Sequence, residues 1–593
     1  MTNATPPSTD PSWETPAERS GYRTTPDYAE TLAFLGRLAE AYPRQLQLEA
    51  FGSTGEGRPL ELAVLSKDGI FEPERIHASG RVVLLVQNSI HAGEMDGKDA
   101  CLALTRDLLR RPEMAPLLDR VVLAFIPVYN VDGHERRSAF TRFNQNGPEL
   151  AGWRANGTNL NLNRDYLKVD APETRAFFRM FRRWLPDFFV DDHVTDGADF
   201  QYDVTFALDA TPDVPPETAD WIRTSVTPQL VRGIDAAGHR AFPGAVFLKD
   251  ETDPAKGLAF NENPPRFSTG RMILENRPGL LVELHMLKDY RTRVTGNYAL
   301  LRTLLELLHR DADRLLELNR RADAAASSMG RSRAPFPLIV GGTGAATPTP
   351  FAGVEFERYR SEVSGGTAVR FGSKPWDTVL PVEASARVVT SILPPVAYIV
   401  PPAWVHVLDV LSVHGVRMRI TTTDWTGPVE RYRLSGMRRP GRPFEGRYPI
   451  LRSGSVESEL GHFGTCTPVT ETVTYRVGSA VVPLDQRLSK VAIHWLEPEA
   501  PDSAFRWGFF DAVMEQKESG EAYVLERYAR ERLDADPALR KEFEGRLATD
   551  AAFASDAGAR LAFFFDRSPW GRENRVGEYP VGRLASLEGV PLA

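Results

Sequence analysis

Cysteine is nearly missing: Cys101 and Cys466 are the only two in 593 residues. Two thiols cannot form a disulfide framework. Cys101 is expected to pack in a core, and nothing in the sequence supports a bridge between the two. Long apolar runs are missing too. A membrane helix needs about 20 consecutive apolar residues, and the apolar stretch 393–411 is broken by Pro394, Pro395, Pro401 and Pro402. Positive charge is not in excess. The net charge of −8 argues against a nucleic-acid partner, which calls for a basic surface. Residues 1–20 lack any apolar core and are rich in Pro, Ser, Thr and Asp. They do not read as a signal peptide, and disorder is expected there. A secreted or periplasmic chain whose signal has been removed would begin in the same way.

What remains is a globular composition, with 42% hydrophobic and 25% charged residues. At 593 residues the chain exceeds one ordinary core, so two or three domains are expected.

The most informative stretch is His91-Ala92-Gly93-Glu94. It follows the apolar run Val82-Val83-Leu84-Leu85-Val86, which reads as a buried strand, and a polar Gln87-Asn88-Ser89 break. A helix is expected to begin at Asp96. An imidazole and a carboxylate thus stand where a strand ends and a helix begins, which is where α/β sheets bind ligands. Both groups suit zinc, and a catalytic zinc takes three protein ligands and a water. Alone, His-x-x-Glu is equally well a solvated loop.

A third ligand is offered at the end of another short apolar run, Leu185-Pro186-Asp187-Phe188-Phe189-Val190, which Asp191-Asp192-His193 closes. Alternation puts His193 and Asp191 on one face and Asp192 on the other. Glu283 is a lone carboxylate inside the apolar Gly279-Leu280-Leu281-Val282-Glu283-Leu284. Such a group has a partner or a task, and a raised pKa would suit it to general-base work. His285 shares its face and is a rival third ligand. Arg154 and the pair Asn163-Arg164 bring donors that can clamp a carboxylate or hold negative charge on an oxygen.

Together these residues resemble the zinc metallocarboxypeptidases of the carboxypeptidase A-like group over residues 22–283. In order, Gly52-Ser53-Thr54-Gly55-Glu56-Gly57-Arg58-Pro59-Leu60 looks like the family's early Gly-Arg-Pro turn, and residues 127–133 like its Pro-x-x-Asn-x-Asp-Gly segment. The resemblance makes His91, Glu94 and His193 the ligands of one Zn2+ ion. It makes Arg154 the group that polarises the scissile carbonyl, Asn163 and Arg164 the grip on a terminal carboxylate, and Glu283 the catalytic glutamate. Two positions depart from the pattern. Gly93 stands where an arginine commonly precedes the ligand glutamate, and Asn161 where an aspartate commonly supports the first histidine.

The fold implied is α/β, a mixed twisted sheet flanked by helices, followed by a β-rich domain and a helical C-terminal segment. The expected division is a tail at 1–20, a catalytic domain at 21–330, a β-rich domain at 331–500 and a helical segment at 501–593. Residues 298–326 read as the last helix of the catalytic domain and 332–350 as a Gly-rich connection. Within the β-rich part, 405–410, 416–420, 470–482 and 491–495 read as strands of a small sandwich or barrel. The expected function is zinc-dependent removal of a C-terminal residue from a peptide. The alternatives are a deacylase of amino-acid conjugates or a peptidoglycan-peptide hydrolase on the same site, and a non-catalytic binding protein. No membrane span and no nucleic-acid partner are expected.

Overall fold

The computed structural model describes residues 11–451 and 461–593. An eight-stranded mixed sheet organises the first half. Its strands are β1 (Leu46–Ser53), β2 (Pro59–Leu65), β3 (Val82–Gln87), β4 (Val121–Ile126), β5 (Phe188–Val194), β6 (Val204–Leu208), β7 (Ala241–Pro243) and β8 (Gly279–Leu284). They lie in the order β1-β2-β4-β3-β5-β8-β6-β7. The central strands β4, β3, β5 and β8 are parallel, and β6 returns antiparallel to β8. Strands β3, β4 and β5 are buried along their whole length. That matches their unbroken apolar sequences, because a parallel sheet is covered on both faces.

Helices supply the cover. On one face are α1 (Tyr28–Ala41), α2 (Asp96–Arg110) and α5 (Tyr290–Ser327); on the other lies α3 (Pro172–Trp184), and α4 (Ser268–Leu274) leads into β8. The long α5 packs against α2 and β3, burying Leu300, Leu301, Leu304, Leu305, Leu307 and Leu308.

The tail is shorter than the sequence suggests. Thr15 caps a helical turn at Pro16–Arg19 with a full capping box, and Trp13 lies under the Arg110 guanidinium at 4.9 Å. The first ten residues lie outside the described residues.

The second half is not a sandwich or barrel. Residues read as a connection form β9 (Phe336–Gly342), which pairs with β12 (Ala386–Ile392). A long hairpin, β10 (Thr347–Arg360) with β11 (Thr367–Val382), stands apart from it and roots on Phe200 and Tyr202 beside the first sheet. A six-stranded antiparallel sheet follows, built from β13 (Ala397–Val400), β14 (Arg419–Ile420), β15 (Trp425–Ser435), β16 (Thr465–Tyr475), β17 (Ala480–Pro483) and β18 (Gly582–Leu584). Two segments expected as strands are helices, at Val405–Val413 and Ser489–Leu496. Further helices at Ala522–Ala535, Pro537–Thr549 and Ala557–Phe565 gather Phe543, Phe553 and Phe563 into a small core of their own.

One apolar core runs through both halves. Phe177, Phe178 and Phe181 of α3 belong to the same cluster as Tyr398, Val407, Leu411 and Trp495. Among the described residues no helix is long and apolar enough to cross a membrane.

Candidate metal and active site

The chemistry gathers at the carboxyl ends of β3, β5 and β8. After β3, Ser89 takes a left-handed conformation at φ 57°, and the chain turns so that the Glu94 N–H donates to the His91 carbonyl at 2.9 Å. That turn brings two side chains three residues apart onto one point. Strand β5 runs beside β3, with Asp191 opposite Gln87, and delivers His193 to the same place. Among the described residues, His91, Glu94 and His193 form a buried group whose ligand atoms all lie within 4.8 Å of one another.

The finer distances test whether a metal fits. The two Nδ1 atoms are 3.2 Å apart. Glu94 Oε1 lies 3.1 Å from His91 Nδ1, and Oε2 lies 3.0 Å from His193 Nδ1. Ligand atoms about 2.1 Å from a tetrahedral zinc would be about 3.4 Å apart. The ring nitrogens behind are also set. His91 Nε2 faces Asn161 Oδ1 at 3.2 Å, and His193 Nε2 faces Asp191 Oδ2 at 2.9 Å. Each oxygen accepts an N–H there, which leaves a lone pair on each Nδ1. Three lone-pair donors turned on one point repel each other unless a cation stands between them. The donor set therefore fits zinc.

Burial, helped by the Arg154 guanidinium, holds His91 well below its ordinary pKa. Burial works the same way on His193, but Asp191 and Glu94 outweigh it and hold that ring well above. Glu94 pays for its own burial through His91 and Arg142, which keep its carboxyl well below the usual range.

Glu283 lies directly opposite His193 in the β5–β8 register. Burial pushes its pKa up to about 8, and its Oε2 is buried without a hydrogen-bond partner. Arg154 is 39% exposed, with Nη1 3.7 Å from Glu94 Oε1. Asn163 is buried behind His193, its Nδ2 3.3 Å from Nε2 and its Oδ1 accepting the Ser268 N–H at 3.0 Å. Arg164 donates to the Asn163 carbonyl at 3.0 Å and lies over the Phe267 ring at 4.3 Å. His285 is elsewhere: its ring nitrogens face the N–H groups of Phe200 and Leu287.

Several site residues escaped the sequence reading. Arg142 ion-pairs with Glu94 Oε1 at 3.1 Å. Ser268 donates its hydroxyl to Asp191. Glu445, from the second half, accepts the Asn161 N–H at 2.7 Å. No local pattern marks Arg142 or Glu445. Asp191 was legible, because alternation already put it on the face of His193. The Gly-Arg-Pro turn and the Asn-x-Asp-Gly segment meet as well, since Thr54 and Arg58 both donate to Asp132.

Residues 31–219 match the family described as zinc carboxypeptidase; β8 and Glu283 lie beyond that match. The protein named carboxypeptidase 2 of Trichophyton tonsurans is 24% identical over 506 residues, covering 82% of this chain and 84% of that one. The carboxypeptidase 2 of Trichophyton rubrum is 23% identical over 500 residues, with 82% and 84% covered. Among solved structures, a metallo-carboxypeptidase from Burkholderia cenocepacia aligns with a TM-score of 0.36 at 18% identity, covering 48% of this chain and 69% of that one. The carboxypeptidase A of Helicoverpa armigera gives 0.37 at 15%, covering 49% and 74%.

Proposed function

We propose that this chain, whose residues 31–219 match the zinc carboxypeptidase family, removes single residues from the free C-terminus of peptides, with Glu283 as general base. One observation carries the reading. Three lone-pair donors, His91, Glu94 and His193, converge beside Glu283, whose Oε2 is buried without a hydrogen-bond partner.

His91 and His193 through Nδ1, and Glu94 through its carboxylate, would hold one zinc ion. When bound there, zinc supplies Lewis acidity and brings the pKa of a coordinated water to about 7. The residues do the rest. Asp191 and Asn161 hold the two imidazoles in the tautomer that leaves Nδ1 free. Glu283 Oε2 takes a proton from the attacking water and gives it to the leaving amine nitrogen. Arg154, partly exposed beside Glu94, hydrogen-bonds the carbonyl oxygen as negative charge develops on it. Arg164, with Asn163, receives the substrate's terminal carboxylate.

The test is metal content followed by digestion. Purified protein should contain about one zinc per chain, shorten unblocked peptides one residue at a time and leave C-terminally amidated copies intact. A chelator should stop the reaction, and added zinc should restore it. Full activity in chelator, or equal cleavage of amidated peptides, would overturn the reading. Cleavage of N-acyl amino acids alone would favour the deacylase alternative.

A further inference from the structure

Residues 138–151 form a loop across the rim of the site. Its base is paired, the N–H groups of Ser138 and Ala151 each donating to the other's carbonyl at 3.0 and 3.1 Å. From there the loop is tied to the exits of three strands. Gln145 Nε2 donates to the Gly93 carbonyl at 3.1 Å, after β3. Asn144 Nδ2 donates to Asp196 Oδ1 at 3.2 Å, after β5. The Asn146 N–H donates to the Met286 carbonyl at 2.9 Å, after β8. These strands deliver His91 and Glu94, His193, and Glu283.

Arg142 drives the loop's contact inward. Its side chain is 8% exposed, and Nη1 reaches Glu94 Oε1. Gly93 is what makes room, because a Cβ there would lie 2.5 Å from Arg142 Cγ and 2.8 Å from the Gly152 carbonyl oxygen. The guanidinium beside Glu94 thus comes from the loop, where the family resemblance would put one on residue 93.

Although so anchored, the loop holds two aromatic rings in water. Phe140 is 87% and Phe143 92% exposed, while the next most exposed phenylalanine among the described residues, Phe247, is at 45%. Rings this open forgo the burial that normally keeps phenylalanine inside. The anchorage of the loop beside His193 says what could cover them. The His193 Nδ1 faces Glu94, on the loop's side, and its Nε2 faces Asp191 and Asn163. Arg142 of the loop thus meets Glu94 at the Nδ1 side of the ring, while Asn163 lies at the Nε2 side. A peptide held by its terminus at Asn163 and Arg164, with its scissile bond over the triad, runs on toward the loop.

We propose that Phe140 and Phe143 bind apolar side chains on the N-terminal side of the scissile bond, so that the loop selects peptides by residues upstream of the one removed. This rests on the carboxypeptidase reading above. The occupant is the extended substrate itself, because Arg142 makes the loop continuous with the catalytic rim.

The test compares kcat/KM for two substrates with the same C-terminal residue. One is an acetylated dipeptide with glycine upstream, the other a hexapeptide with leucine and phenylalanine upstream. In a Phe140→Ser/Phe143→Ser variant, the ratio of long to short substrate should fall about tenfold, mainly through KM. A Tyr523→Ser variant, which removes a ring that is 77% exposed in the C-terminal helices, should leave the ratio as it was. If wild-type protein removes no residue from either peptide, the carboxypeptidase reading fails and this inference falls with it. A normal wild-type ratio that the double variant does not change would overturn the inference alone.

Discussion

Each sheet has a glutamate with a raised pKa, and the two differ in company. Glu283 on β8 is pushed to about 8 by burial and leaves Oε2 without a partner. Glu497, against the six-stranded sheet, is pushed to about 7 by burial. Yet Tyr398 and Tyr432 donate to it at 2.6 and 2.9 Å, and Arg583 Nε lies 3.0 Å away. A buried polar group left unsatisfied is costly. It persists where something other than stability selects it. Glu497 ties three strands together; Glu283 Oε2 makes no such tie. A raised pKa is common to both, so it does not by itself separate the proposed base from a structural acid. The hydrogen bonds do.

That contrast can be broken in steps. The largest effect is expected for Glu283→Gln, which should lower kcat about 10³-fold or more with zinc content and Tm unchanged. A variant within tenfold of wild type would place the base elsewhere. Next is Asp191→Asn, which takes the carboxylate from behind His193. Competition with a chromophoric chelator should show zinc affinity lower by about 10–100-fold; unchanged affinity would mean that the orientation of His193 is set by packing alone. For Glu497 the effect is on pH dependence. Its carboxyl ionises near 4.5 when unfolded and near 7 when folded. The folded state therefore holds the proton longer, and the stability it confers is full below about pH 4.5 and lost as pH rises past 7. The unfolding free energy from urea titrations should fall between pH 5 and pH 8 by on the order of 1–3 kcal/mol, and Glu497→Gln should flatten that slope. Loss of turnover in a folded Glu497→Gln protein would collapse the distinction. The smallest effect is expected for Glu445→Gln. The Asn161 N–H would keep an acceptor, so kcat/KM should change less than about threefold, against a larger drop for Glu445→Ala.

The first sheet and its site were legible in the sequence because their signals are local. Apolar runs end in His91 or His193, a three-residue spacing suits a tight turn, and alternation pairs Asp191 with His193. The second half was less so. Val407, Val410 and Leu411 are the buried residues of a helix, but in so short a run Val405 and Val407 also fit the alternation of a strand. Residues 489–496 are buried on every side, so they carry no periodicity at all. Arg142 and Glu445 come from distant loops. For Arg142 the only trace was a glycine at position 93, a footprint without the foot.

The shared core bears on how the molecule can be cut. A fragment ending near residue 330 would lose Tyr398, Val407, Leu411 and Trp495 from the core cluster that holds Phe177, Phe178 and Phe181, and with them the His414 ring whose centroid lies 4.6 Å from that of Phe178. It would also free the backbone of Asn161 from Glu445, one residue pair from His91. The first half is thus no portable cassette: evolution or an engineer would have to carry both halves together.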